Sequence, residues 1–324
     1  MNNKLKIALL CNNKMAIPAI HRMATDGVLC SIASADTDPE VLVIVSTEAA
    51  KLNIPYCKIS KSGYSAQIAA WLRECQPDVV FVMTFPYKIG RELLAIPRLD
   101  FINFHYGLLP QMRGADPIFE SVRNMLPIAG TTVHIMDEGL DTGPVLLREE
   151  MPVQPEFTYG MLSSQLGWMG DKLCSQLLTA LAGSDGGQVN AEEWCGMPLT
   201  VQDESKAKYW PKVGEASMTI YWDKMTCAEI IALVRSCNPI ARGGTPTTIN
   251  GWKLGVCDVS EINLQGAGSD IAPGTIVAMD MQNGLIVFCK DGRGVRLDVV
   301  YSGEGIFPGF KLAFFGIQLG MKFE

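Results

Sequence analysis

The sequence predicts an α/β fold, a doubly wound parallel sheet with a second, smaller β-barrel domain. Three observations predict it. Short, almost wholly apolar runs alternate with helix-patterned stretches as far as residue 183, as expected of strands buried on both faces by crossover helices. Beyond Pro211-Lys212 the pattern changes to short β-rich runs between glycine-rich turns, which suits a small barrel. A chain of 324 residues also exceeds the usual size of one domain. The expected division is an α/β domain over 1–184, a linker over 185–204 and the small barrel over 205–324.

Residues 4 to 11 read as a buried first strand, and Ile17, Ile20 and Met23 recur near helical spacing within a helix over 15 to 25. Asn12-Asn13 marks the turn between them. A nicotinamide-binding chain would place G-x-G-x-x-G there, and its absence removes most of the support for a dinucleotide cofactor. The first run reads as a strand rather than a secretory signal because it stops at Asn12-Asn13-Lys14 without a small-residue cleavage site. Residues 28 to 34 form a second strand, closed by the acidic turn Asp36-Thr37-Asp38-Pro39-Glu40. Val41 to Asn53 is ambiguous, β-branched at its start and helix-favouring at its end. Pro55 to Ile59 is a short strand, and Ser65 to Cys75 a helix with Ile68, Trp71 and Leu72 as its apolar stripe.

Pro77 to Met83 is a buried strand that runs into the loop 84–90, and residues 91 to 96 are a short helix stopped by Pro97. After an apolar strand over 99 to 104, Asp116 before Pro117 fits an N-cap and first-turn proline for a helix over Pro117 to Asn124. Thr131 to Leu147 holds two β-rich runs around a turn with Gly139 and Gly143, and 157 to 183 is a long leucine-striped helix. Gly183-Ser184-Asp185-Gly186-Gly187 is a flexible connection. In the last third, a helix over Thr226 to Ser236 precedes β-rich runs at 247–249, 252–256, 274–278, 285–289 and 295–300, and the aromatic run Gly303 to Phe310 is expected to close the barrel core.

The chemistry concentrates in Asn103-Phe104-His105-Tyr106-Gly107-Leu108-Leu109-Pro110. Strand side chains alternate between faces, so Asn103 and His105 point one way and Ile102 and Phe104 the other. Gly107 and Pro110 end the strand, which puts the pair at a strand's C-terminal end, where open α/β sheets bind ligands. The turn after the next strand carries Asp141 back towards them, so an amide, an imidazole and a carboxylate converge on one cleft. His134 is expected to be a hydrogen-bonded wall histidine, and Arg113 to hold its loop rather than meet an anion.

Asn103-x-His105, Leu108-Leu109-Pro110, Arg113-Gly114-Ala115, Pro117-Ile118 and Asp141-Thr142-Gly143, in that order, closely resemble the signature of folate-dependent formyltransferases. That family contains methionyl-tRNA formyltransferase, sugar-amine N-formyltransferases and glycinamide ribonucleotide formyltransferase. The resemblance implies a formyltransferase-type Rossmann-like domain, a helix over Val41 to Asn53 and, more weakly beyond residue 205, the OB-like barrel of the methionyl-tRNA branch. It implies 10-formyltetrahydrofolate as formyl donor, lying along Phe85, Tyr87, Lys88, Ile89, Leu108, Leu109, Ile135, Met136, Asp137 and Glu138. It makes Asn103, His105 and Asp141 catalytic. Asn103 and protonated His105 would donate to the oxyanion, contacts whose loss commonly costs on the order of 2.7–4 kcal/mol. Asp141 would accept the amine's proton, directly or through water, or raise the proton affinity of His105. One position departs from the pattern: Gly107 stands where family members commonly carry serine.

Composition narrows the partners. Hydrophobic residues at 48% supply a sizeable core, and no apolar run approaches the roughly 20 residues of a membrane-spanning helix. Ten cysteines without a C-x-x-C pair point to reduced thiols and a cytoplasmic protein, with Cys11 read as a buried apolar residue. With only His21, His105 and His134 available, no metal is expected. A net charge of −7 disfavours DNA and other large polyanions. In the methionyl-tRNA branch a basic loop follows the second strand. Here no Lys or Arg lies between Arg22 and Lys51, while Asp26, Asp36, Asp38, Glu40 and Glu48 do. From Ser205 onward 12 Lys and Arg face 11 Asp and Glu, a poor footprint for nucleic acid. The expected partners are therefore a folate donor and a small or carrier-bound amine acceptor, such as an amino sugar or an aminoacyl group, with tRNA less favoured and no membrane. Methionyl-tRNA formyltransferase is the runner-up, followed by a formyltetrahydrofolate hydrolase and an inactive folate-binding protein.

Overall fold

The computed structural model describes residues 5–96, 99–183, 193–264, 270–282 and 284–324. The expected stop at Pro97 and the connection over 184–187 lie outside the described residues. The chain divides into two compact units, one made of 1–117, 129–151 and 163–210, the other of 118–128, 152–162 and 211–324.

In the first unit, β1 (Ile7–Cys11), β2 (Leu29–Ala35), β3 (Tyr56–Ile59), β4 (Val79–Met83) and β5 (Asp100–His105) pair in parallel in the order β3-β2-β1-β4-β5. Every residue of β1 and β4 is buried, which is why both read as continuous apolar runs rather than alternating ones. Cys11 is buried with them, and burial pushes its thiol up to about 12. The intervening helices are α1 (Ile17–Thr25), α2 (Pro39–Lys51), α3 (Tyr64–Cys75) and α4 (Arg91–Leu94). The ambiguous segment is α2: Asp38 accepts hydrogen bonds from the Glu40 and Val41 backbone N–H groups and Pro39 opens the first turn. A good N-terminus outweighs the β preference of the valines that follow.

The chain continues through β6 (Arg113–Gly114), α5 (Pro117–Arg123), β7 (Ile128–Ile135), β8 (Val145–Pro152) and α6 (Tyr159–Ala182). The sheet is not parallel throughout. β7 enters next to β5 antiparallel, extending the order to β5-β7-β8, because the chain returns without a crossover along the sheet. A hairpin of β9 (Glu193–Trp194) and β10 (Met197–Pro198) follows, anchored by the Trp194 indole N–H donating to Asp100 at 2.9 Å. Residues 200–210 then run back beside Pro110, β6 and the start of β8. Thr200 bridges to Val145, and β11 (Tyr209–Trp210) pairs with β6.

The second unit contains the short α7 (Glu215–Met218) and α8 (Cys227–Cys237), the latter opened by a capping box in which Thr226 and Glu229 satisfy each other's backbone N–H groups. β12 (Thr245–Ile249), β13 (Trp252–Ile262), β14 (Ile276–Asp280), β15 (Gly284–Phe288) and β16 (Gly294–Ser302) form its antiparallel sheet in the order β12-β13-β16-β15-β14. Trp222 and Phe323, 5.4 Å apart between ring centroids, pack in its core with Ile230, Leu233 and Leu297. The Gly303–Phe310 run does not close this core. It forms β17 (Gly305–Pro308), which pairs outside the main path with β16 and leaves Ile306 70% exposed. Closure comes instead from Lys322 and Phe323, which bridge to Thr275 and Ile249 at the two ends of the sheet order. Among the described residues no helix is long and apolar enough to cross a membrane.

Candidate active site

The register of β5 against β7 builds the site. Directly opposite residues in an antiparallel pair share a face, and His134 stands opposite Asn103 while Thr132 stands opposite His105. His134 Nδ1 faces the Ile135 carbonyl at 3.0 Å and so carries the proton, leaving Nε2 to accept from the Asn103 amide at 3.1 Å. The imidazole thereby fixes which way the Asn103 amide points. The Thr132 hydroxyl donates to the Gly107 carbonyl at 2.7 Å and accepts from the Leu109 N–H at 3.1 Å, which holds the turn after β5, including its cis Leu109–Pro110 bond.

His105 is 6% exposed and donates from Nε2 to the Met112 carbonyl at 2.6 Å. Its Nδ1 faces Asp141 Oδ1 at 3.6 Å, and His134 Nε2 lies 3.7 Å from the same oxygen. Burial pushes the His105 imidazole below its ordinary value, with the Asp141 carboxylate opposing. Burial works to raise the Asp141 carboxyl, but His105 first, then His134 and the Gly114 N–H, hold it down at about 2. The site at neutral pH therefore pairs an ionised Asp141 with a neutral His105 whose Nδ1 lone pair is turned towards the carboxylate. Protonation at Nδ1 would complete a hydrogen-bonded imidazolium, with one N–H on a carbonyl and the other on a carboxylate.

Asp141 reaches this position from a turn held at both ends. Asp137 Oδ1 accepts from the Gly139 N–H and the Thr142 hydroxyl, at 3.0 and 2.6 Å. At the neck, Gly143 passes so close to the Ile135 carbonyl that a Cβ there would lie 1.8 Å from its oxygen, so only glycine fits. Asp141 itself adopts φ 57°, a left-handed conformation that aspartate tolerates better than most residues. Its Oδ2 accepts from the Gly114 N–H at 3.0 Å. Arg113 is fully buried and, among the described residues, holds no backbone carbonyl of its loop by a side-chain hydrogen bond; its partners are the side chains of Gln202, Tyr209 and an anion, the Glu204 carboxylate.

The formyl transferase family pattern matches residues 21–178. Methionyl-tRNA formyltransferase of Halothermothrix orenii is 31% identical over 235 residues, 72% of this chain and 70% of that protein. The chain belongs to the formyl transferase family. The enzyme of the same name from Marinobacter nauticus is 33% identical over 221 residues, 68% of this chain, and the chain spans 65% of its length. Among solved structures, an N-formyltransferase from Helicobacter canadensis, in complex with folinic acid and dTDP-3-aminofucose, superposes with a TM-score of 0.65 over 94% of this chain and 100% of that one at 16% identity, a likeness of fold.

Within this formyltransferase fold the residues expected to meet the donor separate into two kinds. Phe85, Tyr87 and Met136 gather against one core cluster, with Phe85 and Tyr87 edge-to-face at 5.5 Å and the Tyr87 hydroxyl donating to Asp36 at 3.2 Å. Lys88 is exposed, and the half-buried Leu108 sits at the turn after β5. Ile89, Leu109 and Ile135 are buried and pack the strand ends, Asp137 braces the turn, and Glu138 pairs with Arg91 at 3.3 Å. Sequence reasoning missed the Met112 carbonyl, the Gly114 N–H, Thr132 and Gln202. The first two are backbone groups with no sequence signal, and Gln202 lies in the stretch that reads as linker.

Gly107 explains itself by contact. A Cβ at this position would come within 2.6 Å of Pro117 Cβ, 2.9 Å of His105 Nε2 and 3.0 Å of Met112 Cβ. The serine common in the family has no room here without displacing the loop that holds His105. Gly107→Ser is expected to destabilise the protein by about 1–3 kcal/mol, read as a lowered urea midpoint; an unchanged midpoint would show that the Pro117 side yields freely.

Proposed function

We propose that the protein transfers a formyl group from 10-formyltetrahydrofolate to a primary amine on a small or carrier-bound acceptor, such as an amino sugar or an aminoacyl group. The amine nitrogen attacks the formyl carbon, the C–N bond to the folate nitrogen breaks, the amine loses a proton and the folate nitrogen gains one. Asn103, its orientation set by His134, offers an amide hydrogen to the oxyanion of the tetrahedral intermediate. His105, neutral and backed by Asp141, takes the amine proton on Nδ1 as an imidazolium stabilised by the carboxylate and passes it to the departing folate nitrogen. The donor lies along Phe85, Tyr87 and Met136.

One observation carries the choice of acceptor. The acidic turn 36–40 borders the C-terminal ends of β1 and β4: the Tyr87 hydroxyl donates to Asp36, and the Asn12 amide donates to Thr37 at 2.7 Å. The Ser60 hydroxyl first, then Tyr87, holds the Asp36 carboxyl below the usual range, so the rim stays anionic. An anionic rim repels phosphates, whereas a tRNA acceptor needs cations there. A second reading, methionyl-tRNA as acceptor, is favoured by the names of the curated relatives at 31% and 33% identity.

Tetrahydrofolate formation from 10-formyltetrahydrofolate distinguishes the two when initiator methionyl-tRNA is compared with a panel of amino sugars and amino acids, with a control lacking acceptor. Turnover with a small amine, nearly independent of added salt, is expected. Turnover with the tRNA alone, falling steeply with salt, would overturn the acceptor assignment, and equal turnover without acceptor would make the protein a hydrolase.

A further inference from the structure

We infer that Gln202 is a positioning residue for Asp141, acting with Arg113 as a clamp on the turn that carries the carboxylate. The inference rests on the formyl-transfer reading for its kinetic consequence and on geometry for the clamp itself. Asp141 projects from a turn whose neighbour Leu140 is 57% exposed, so the turn owes little to core packing. Beyond the Asp137 brace and the close approach of Gly143 to Ile135, its backbone is held by the Gln202 amide, which donates from Nε2 to the Asp141 carbonyl at 2.9 Å and to the Gly143 carbonyl at 2.8 Å. The left-handed residue and the neck of the turn two residues on are thereby tied to one side-chain nitrogen.

The orientation of that amide is not free. Gln202 Oε1 accepts from Arg113 Nε and Nη2 at 3.2 and 2.8 Å, and a guanidinium has only donors, so the oxygen must face Arg113 and the nitrogen must face the two carbonyls. Gln202 is 8% exposed. The guanidinium is fixed in turn by Glu204 at 2.6 and 2.9 Å and by the Tyr209 hydroxyl at 2.9 Å. Arg113 and Gly114 are consecutive, so one two-residue strand supplies both supports of Asp141: the Arg113 side chain orients the amide that ties the backbone, and the Gly114 N–H receives the carboxylate. The segment bearing Gln202 is itself pinned on both sides, at Thr200 to Val145 and at Lys208 to Pro110. Errors of about 1 Å in the placement of a catalytic group cost on the order of 100-fold in rate, and this closed ring of contacts sets the distance between Asp141 and His105.

Gln202→Glu separates positioning from packing. The variant keeps the size of the side chain and gives Arg113 an anionic partner, but it turns a carboxylate oxygen towards the Asp141 and Gly143 carbonyls and replaces two attractions by repulsion. The expected result is a kcat lowered about 10- to 100-fold, KM values for donor and amine within about threefold, and a displaced acid limb in the pH profile of kcat. Gln202→Met, which lacks the amide but keeps the length, is expected to show the same kcat loss and serves if the Glu variant does not fold. Proton NMR titration of His105 needs no turnover and is assignable because the chain has three histidines; its midpoint should move in both variants. Wild-type kcat together with an unmoved His105 titration would overturn the clamp while leaving formyl transfer intact. A wild-type protein without formyl transfer would overturn the functional reading, and the titration would still decide the clamp.

Discussion

Replacing His105 by Ala is expected to lower formyl transfer about 10²- to 10⁴-fold. In the proposed reaction the imidazole exchanges a proton with the amine and, once charged, rests against a carboxylate at 3.6 Å. The same substitution leaves the buried Met112 carbonyl without its donor at 2.6 Å, which costs about 1–3 kcal/mol of stability. His105→Gln distinguishes the two effects, because a glutamine amide can still donate towards Met112 but cannot carry the proton. Both variants should be inactive, while the glutamine variant unfolds closer to the wild-type urea midpoint. An alanine variant that keeps more than about a tenth of the wild-type kcat would remove His105 from the proton path.

The parallel half of the sheet was legible because burial on both faces leaves an unbroken apolar trace: Ile-Ala-Leu-Leu-Cys and Val-Val-Phe-Val-Met can hardly be anything but central strands. The direction of β7 was not legible. Its apolar run is compatible with either pairing, and what decides is the route of the chain between Gly114 and Ile128. Barrel closure was misread for a related reason. The Gly303–Phe310 run has the composition of a core segment, yet Phe307 packs against the core while Ile306 points out, and two residues near the end of the chain close the sheet instead.

Asn103 and His105 were placed on one face by the two-residue period of a strand alone, and Asp141 was brought near by a glycine-bounded turn. Their supports were illegible because they are backbone groups, such as the Met112 carbonyl and the Gly114 N–H, or partners fixed by register and by distant segments. His134 opposite Asn103 follows only once β5 and β7 are aligned. Gln202 reaches Arg113 across 89 positions of sequence from a stretch with no periodicity.

Asp141→Asn is expected to lower kcat by a comparable factor, about 10²- to 10⁴-fold, and to change the pH profile in a defined direction. The asparagine can still accept from the Gly114 N–H, so the turn keeps its shape and the change is one of charge. In the wild type the carboxyl is held at about 2 and is ionised at every practical assay pH, so it contributes no limb to the profile. In the proposed mechanism the acid limb belongs to His105, whose depressed value means that the neutral form persists to a lower pH than an ordinary histidine would allow. Without the carboxylate the imidazolium loses its counter-charge, so that limb moves to still lower pH while the plateau falls. Stability follows the same sign. A buried neutral His105 contributes fully above the ordinary histidine range and loses that contribution as pH falls below it, whereas the Asp141 contribution is present above the ordinary carboxylate range and is lost as pH falls through about 2. Acidification from pH 7 to pH 4 should therefore lower the urea midpoint through His105 in wild type and variant alike. Further acidification towards pH 2 should cost the wild type more than the asparagine variant. An Asp141→Asn enzyme with the wild-type plateau and an unmoved acid limb would show that the carboxylate neither orients nor stabilises His105, and the proton would need another route.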